Sequence, residues 1–201
     1  ATVKNVHVAG KAYCDKKNTD DTYDIYVGGA VGVFGNPKGG TQKITKVNVD
    51  NCVVDAIGEK TMLPYAGGVV AGMWWSSTTQ LSYAIVKNSA ITSTSIVPSA
   101  YAGGIVGLMQ CSTVDHCLTQ DTEVKAVSEQ SNAYAGGIAA RGKNGTESIT
   151  YCYSNASLDA QGANPTKRGI VALAKSNNIV TNDSGAAKNF FVYETAGTAN
   201  A

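Results

Sequence analysis

One phrase, aromatic–small–Gly–Gly–aliphatic, returns along the chain and limits what it can fold into. It reads Tyr26-Val27-Gly28-Gly29-Ala30-Val31-Gly32, then Tyr65-Ala66-Gly67-Gly68-Val69-Val70. Tyr101-Ala102-Gly103-Gly104-Ile105-Val106-Gly107 and Tyr134-Ala135-Gly136-Gly137-Ile138-Ala139 follow, with a worn copy at Arg168-Gly169-Ile170-Val171. The first glycines stand 39, 36 and 33 residues apart, and Gly137 to Gly169 is a step of 32. A period of that size with a small drift marks a repeat array, in which each repeat is one supersecondary unit and loop insertions absorb the drift.

A second phrase precedes each glycine phrase. Val3-Lys4-Asn5-Val6-His7-Val8 matches Val86-Lys87-Asn88-Ser89-Ala90-Ile91. Val49-Asp50-Asn51-Cys52-Val53-Val54, Val114-Asp115-His116-Cys117 and Ile149-Thr150-Tyr151-Cys152 fit the same frame. Helix is a poor solution for such a chain, because mid-helix glycine costs about 1 kcal/mol against alanine and Val, Ile, Thr and Ser are dense. Alternation of period two is visible instead and points to strands. On this frame Val6, Cys52, Ser89, Cys117 and Cys152 share one inward column, with Val8, Val54 and Ile91 two residues on. Asn5, Asn51, Asn88 and His116 then face outward or sit at a strand bend. A weaker third strand is expected near Ile91 to Ser95 and Glu123 to Val127.

The expected fold is all-β: a parallel β-helix, expected right-handed, of about five coils of 32–39 residues. The repeats run around 3–32, 44–72, 83–107, 112–142 and 147–174, with 175–201 as a closing segment of the same domain. A β-meander or sandwich is the rival, but it gives no reason for a period above 30 residues.

Composition narrows the function classes. The 201 residues include 22 Gly, 4 Pro and only 15% charged residues, and Ser, Thr and Asn fill the difference, a surface common in extracellular β-rich proteins. A net charge of +1 leaves no basic stripe for nucleic acid. No apolar run approaches the roughly 18 residues of a membrane span. The chain begins Ala1-Thr2-Val3 and is read as a processed piece of a larger chain with flanking domains. Five cysteines, Cys14, Cys52, Cys111, Cys117 and Cys152, lack zinc spacing and are too few for a disulfide scaffold in a chain of this size. Cys52, Cys117 and Cys152 are expected as free, buried thiols.

Candidate functional residues are few. Trp74-Trp75 follows the second glycine phrase, where neighbouring coils carry Gln110-Cys111 and Gly142-Lys143. Adjacent strand residues point to opposite faces, so one Trp is expected outside, either as a docking anchor or as a packing plug. Tyr26, Tyr65, Tyr101 and Tyr134 form one column, which stacks as a structural ladder or presents a platform to a glycan. Asp15, Asp20, Asp21 and Asp24 fit no calcium-loop spacing and read as a solvated loop. Asp50 and Asp115 are placed in one column with Lys87 between them, too far apart to work as a catalytic pair. Asn144-Gly145-Thr146, Asn155-Ala156-Ser157 and Asn182-Asp183-Ser184 match the glycosylation pattern at a rate expected by chance in a chain rich in Asn, Ser and Thr. No catalytic, metal-binding or cofactor-binding set is legible.

The Tyr-Ala-Gly-Gly-Ile-Val-Gly phrase with its Asx-Cys-like turn upstream resembles the GLUG repeat of bacterial surface proteins, over roughly residues 25 to 175. Asn189-Phe190-Phe191-Val192-Tyr193-Glu194 looks like the aromatic strand that closes such arrays. The resemblance implies a secreted or cell-surface adhesin-like segment that binds a host or microbial glycan or protein, or serves as a spacer. A shared solenoid does not itself carry an activity, so a β-helical polysaccharide lyase or glycoside hydrolase and a purely structural stalk stay open beside it.

Overall fold

In a computed structural model the chain is a parallel β-solenoid without helix among the described residues. These are residues 1–16, 23–35, 40–60, 62–74, 79–144 and 147–175, with the backbone of Phe190 and Phe191. Each repeat forms one coil. The glycine phrase supplies a strand to each of two five-stranded sheets. The first sheet stacks Ile25–Gly28, Pro64–Gly67, Ala100–Gly103, Ala133–Gly136 and Thr166–Arg168; the second stacks Val31–Gly35, Val70–Trp74, Val106–Met109, Ala139–Gly142 and Val171–Ala174. The second phrase and the weaker third strand make a twelve-stranded sheet along the remaining side. Five rungs amount to about four turns from first to last, rather than the five coils expected.

The register of the first sheet is the one read from the sequence. Tyr26, Tyr65, Tyr101 and Tyr134 pair in series, as do Gly28, Gly67, Gly103 and Gly136, and the last of these meets Arg168. The weaker third strand is present as Ala90–Ser95 and Glu123–Ser128. Phe190–Phe191 pairs in parallel with Tyr153–Ser154; the rest of the closing segment after Lys175, and Asp20 and Asp21, lie outside the described residues.

The glycine pair is required by space at the corner between the two small sheets. A Cβ on Gly67 would stand 2.1 Å from the carbonyl oxygen of Val70 in its own turn. A Cβ on Gly68 would stand 2.1 Å from the carbonyl oxygen of Gly104 on the next rung. The second glycine of each pair donates its N–H to the carbonyl at the first-glycine position one rung along, as Gly68 does to Gly103 at 3.2 Å and Gly137 to Arg168 at 3.0 Å. The corner's buried backbone is thereby hydrogen-bonded at every rung.

The long sheet corrects one column. Val6, Val47, Ala84, Cys117 and Cys152 occupy equivalent positions, whereas Cys52 aligns with Ser89 and the later Thr122 and Ala156. Each coil carries two corners of the same chemistry, five residues apart, and the second phrase merges them. At the first corner Asn5, Lys46, Tyr83, His116 and Tyr151 all take the left-handed conformation, with φ from 50° to 57°. At the second corner Asn51, Asn88 and Asp121 do the same, with φ from 46° to 53°. One left-handed residue turns the strand, so the next inward side chain comes three residues on rather than two. Ile44, Val47, Val49, Cys52 and Val54 follow that count and are all buried.

The residue after each corner is small and usually carries a thiol or hydroxyl. The Cys117 thiol donates to the Asp115 carbonyl at 3.3 Å and the Cys152 thiol to the Thr150 carbonyl at 3.2 Å. Ser89 and Thr122 make the same bond to Lys87 and Gln120, at 2.7 and 2.8 Å. These side chains satisfy the carbonyl that the bend frees. Cys52, Cys117 and Cys152 are free and buried as expected. Burial holds the Cys52 and Cys117 thiols above their ordinary pKa.

Candidate functional site

Alternation along the first sheet separates two apolar clusters. Ala100 and Ala102 face the solenoid interior with Ile105, Val106 and Met109, while Tyr101 between them joins Tyr65, Leu108 and Ala140 in a second cluster. The tyrosines fill the angle between the two small sheets. Successive ring centroids are 5.2, 4.8 and 5.1 Å apart, with interplanar angles of 4°, 16° and 9°. Tyr65 and Tyr101 are buried, and Tyr26 and Tyr134 at the ends are half-buried. Offset stacking of this kind adds about 0.5–1.5 kcal/mol per pair beyond area burial. The column is thus a structural ladder.

Polar groups brace the ladder. Arg141 donates from Nη1 to the Tyr65 hydroxyl at 2.9 Å and lies 5.2 Å from the Tyr101 ring centroid. Tyr26 donates to Asp24 at 3.1 Å, and the other oxygen of that carboxylate accepts the Leu63 N–H at 3.3 Å. Asp24, grouped by sequence with a solvated loop, therefore ties two rungs together. Burial pushes the Tyr26, Tyr65 and Tyr101 hydroxyls above their ordinary pKa.

Trp74 meets the ladder edge-on, its ring centroid 5.0 Å from that of Tyr26 at 75°. A Cβ on Gly72 would lie 2.7 Å from the indole nitrogen and 3.1 Å from the Tyr26 ring, so the indole fits there because residue 72 is glycine. The half-buried Trp74 closes the first end of the ladder. Trp75 lies outside the described residues. The register through Met73, Met109 and Gly142 aligns Trp74 with Gln110 and then with Lys143, one residue beyond the sequence alignment, which set Gly142 there.

The expected Asp50–Asp115 column is not formed. Asp50 pairs with Lys87, whereas Asp115 pairs with Ser82, because they belong to different corners. Asp50 accepts from the amides of Asn51 and Asn88, both at 3.0 Å, and from the Lys87 ammonium at 3.2 Å. The Asn88 amide, with Lys87 beside it, holds this carboxylate below its usual range. Asp115 instead bonds Nδ1 of His116 at 2.7 Å and accepts from the Thr150 hydroxyl at 2.8 Å. Among the described residues no group of three or more His, Cys, Asp or Glu is placed to hold a metal ion.

The sequence reading missed an outward feature at the first corner. Tyr83, His116 and Tyr151 stack across three rungs, with centroids 5.0 and 4.8 Å apart and interplanar angles of 25° and 28°. Tyr83 is 55% exposed and Tyr151 51%, so this ladder presents its ring edges to solvent. Beside it the register lines up Ile85, Leu118 and Tyr153, and Ile85 is 39% exposed. The signal was present in sequence, since each ring precedes the small corner residue Ala84, Cys117 or Cys152. Finding it needed the two corners to be kept apart.

Comparison with family models, with curated proteins and with solved structures finds no match to this chain.

Proposed function

We propose that this chain is a non-catalytic recognition module of a secreted or cell-surface bacterial protein, of the adhesin-like kind that the GLUG-type phrase implies. The solenoid is the scaffold, and the recognition surface is its long lateral sheet. The observation that carries this reading is the exposed Tyr83–His116–Tyr151 row with Ile85, Leu118 and Tyr153 beside it. Rings that serve only packing are buried, as Tyr65 and Tyr101 are, whereas exposed clustered aromatics are typical anchors of binding surfaces. Asp115, Thr150 and Asn88 supply a polar rim of hydroxyl, amide and carboxylate groups suited to glycan hydroxyls or to a protein backbone.

The test is a glycan and matrix-protein array probed with the wild-type chain and with Tyr83→Asn and Tyr151→Asn. Asparagine keeps the left-handed corner, as Asn51 and Asn88 do, while removing the ring. Each variant is expected to stay within about 1 kcal/mol of wild-type stability and to bind any array hit at least tenfold more weakly, about 1.4 kcal/mol. Release of reducing or unsaturated sugar from a polysaccharide would favour the enzyme reading. An array without a hit would favour a stalk.

A further inference from the structure

The lateral ring row meets solvent with edges rather than faces, because stacking commits both faces of His116 and one face each of Tyr83 and Tyr151. A saccharide that lays its apolar side on an aromatic ring needs an open face. Beside the rings, Asp115 is held by His116 and Thr150, and the Asn88 amide donates to Asp50, which leaves few polar groups free for sugar hydroxyls. Ile85, Leu118 and Tyr153 form a second, apolar column two residues further along the same strands, about 6.6 Å from the rings. At its first-rung end the strip turns basic. Lys46 takes the left-handed corner position one rung before Tyr83, and Lys4 and Lys43 lie on the strands that lead into this corner on the first and second rungs. All three lysines are exposed, and among the described residues none has an ion-pair partner.

We propose that this strip docks an amphipathic helix of a partner protein, one with an apolar stripe and an acidic C-terminal end. The proposal rests on the reading of the lateral sheet as a recognition surface and names the partner of that surface. The ring steps are 5.0 and 4.8 Å. A helix laid along the solenoid axis offers a side chain per turn, about every 5.4 Å, and drifts from the rings by only about 1 Å over three rungs. An extended segment repeats same-side residues about every 6.6 Å and drifts by about 3 Å. Width points the same way. A helix about 10 Å across covers the ring column and the Ile85–Leu118–Tyr153 column together, whereas a strand about 4.8 Å wide covers one. The helix C-terminus carries the negative end of the macrodipole and unpaired carbonyls, so Lys4, Lys43 and Lys46 draw that end to the first rungs, and acidic side chains there add to the attraction.

The test is calorimetric titration of the whole 201-residue chain at low salt with four probes. These are a designed helical peptide of about 20 residues with a leucine stripe and a Glu-rich C-terminal end, the same peptide with Lys in place of those Glu, a proline-interrupted form of it, and maltohexaose. The acidic-ended helix is expected to bind roughly tenfold or more tightly than the other three, and to weaken by roughly tenfold or more in Tyr83→Asn and in Tyr151→Asn. Lys46→Asn keeps the left-handed corner and removes one cation; it should weaken the acidic-ended helix by roughly threefold. The preference over the Lys-ended peptide should vanish near 1 M salt, where the screening length is about 3 Å. Equal binding of the proline-interrupted or Lys-ended peptide, unchanged binding in the tyrosine variants, or no binding of the acidic-ended helix would overturn the proposal. Maltohexaose binding that is lost with the same tyrosines would also overturn it, while upholding the lateral sheet as a recognition surface, so the two readings fail separately.

Discussion

A Cβ at Gly68 would meet the Gly104 carbonyl oxygen at 2.1 Å and a Val86 methyl at 2.9 Å, whereas one at Gly32 would meet nothing closer than 3.5 Å. Both residues belong to the glycine phrase, yet only the first sits where one rung's backbone rests on the next. Gly68→Ala should therefore cost more than about 4 kcal/mol, a loss reserved for changes that a packed interior cannot absorb. Gly32→Ala should stay within about 1 kcal/mol of wild type. Chemical denaturation of the two variants checks this, and equal costs would mean that glycine is needed for some reason other than space. At this scale the sequence was a good guide. The Gly-Gly pair is legible because no other residue fits the corner, and the tyrosine column because its rings stack in register. Trp74 was legible only as a pair of alternatives, since nothing local says that the Tyr26 ring and the gap over Gly72 will receive it.

The element scale is where the reading slipped. Two corners per coil share one pattern of apolar, polar, left-handed and small residues, so Val49-Asp50-Asn51-Cys52 and Val114-Asp115-His116-Cys117 look alike while lying five residues apart on the coil. Placing Cys52 with Cys117, and Asp50 with Asp115, was the result. The error concealed the Tyr83–His116–Tyr151 row, whose members align only once the first corner is counted separately. Both the inner corner residues and the ladder make stability depend on alkaline pH. The Cys52 and Cys117 thiols and the Tyr26, Tyr65 and Tyr101 hydroxyls all have folded-state pKa values raised by burial. Below the ordinary thiol value of about 8.5 both states keep these protons and no dependence arises. Above it the unfolded chain releases protons that the folded chain retains, so the unfolded state binds fewer and stability falls as pH rises. The fall should steepen above about 10, where exposed tyrosines ionise. Urea midpoints measured from neutral pH to about pH 10.5 check this; a flat or rising profile would contradict the buried placement of these groups.

For the whole molecule, one repeat makes one coil, and every functional statement depends on that equivalence. It lines up the lateral aromatic row and holds the tyrosine ladder in the angle between two sheets. The repeat period was enough to see the architecture in the sequence, because loop insertions change the period without changing the register. The turn count came out lower than expected, since five strands per sheet enclose about four turns. The register itself can be measured. Lys43, Gln80, Thr113 and Ser148 pair in series on the long sheet, on four successive rungs. With the partly exposed Cys14 and Cys111 replaced by serine, nitroxide labels can be placed in pairs at Lys43 with each of the other three positions. Electron paramagnetic resonance should then give separations that rise in equal steps of about 4.8 Å per rung, to about 14 Å between Lys43 and Ser148. Separations that do not rise with rung number, as an antiparallel sandwich would give, would contradict the solenoid and everything built on it.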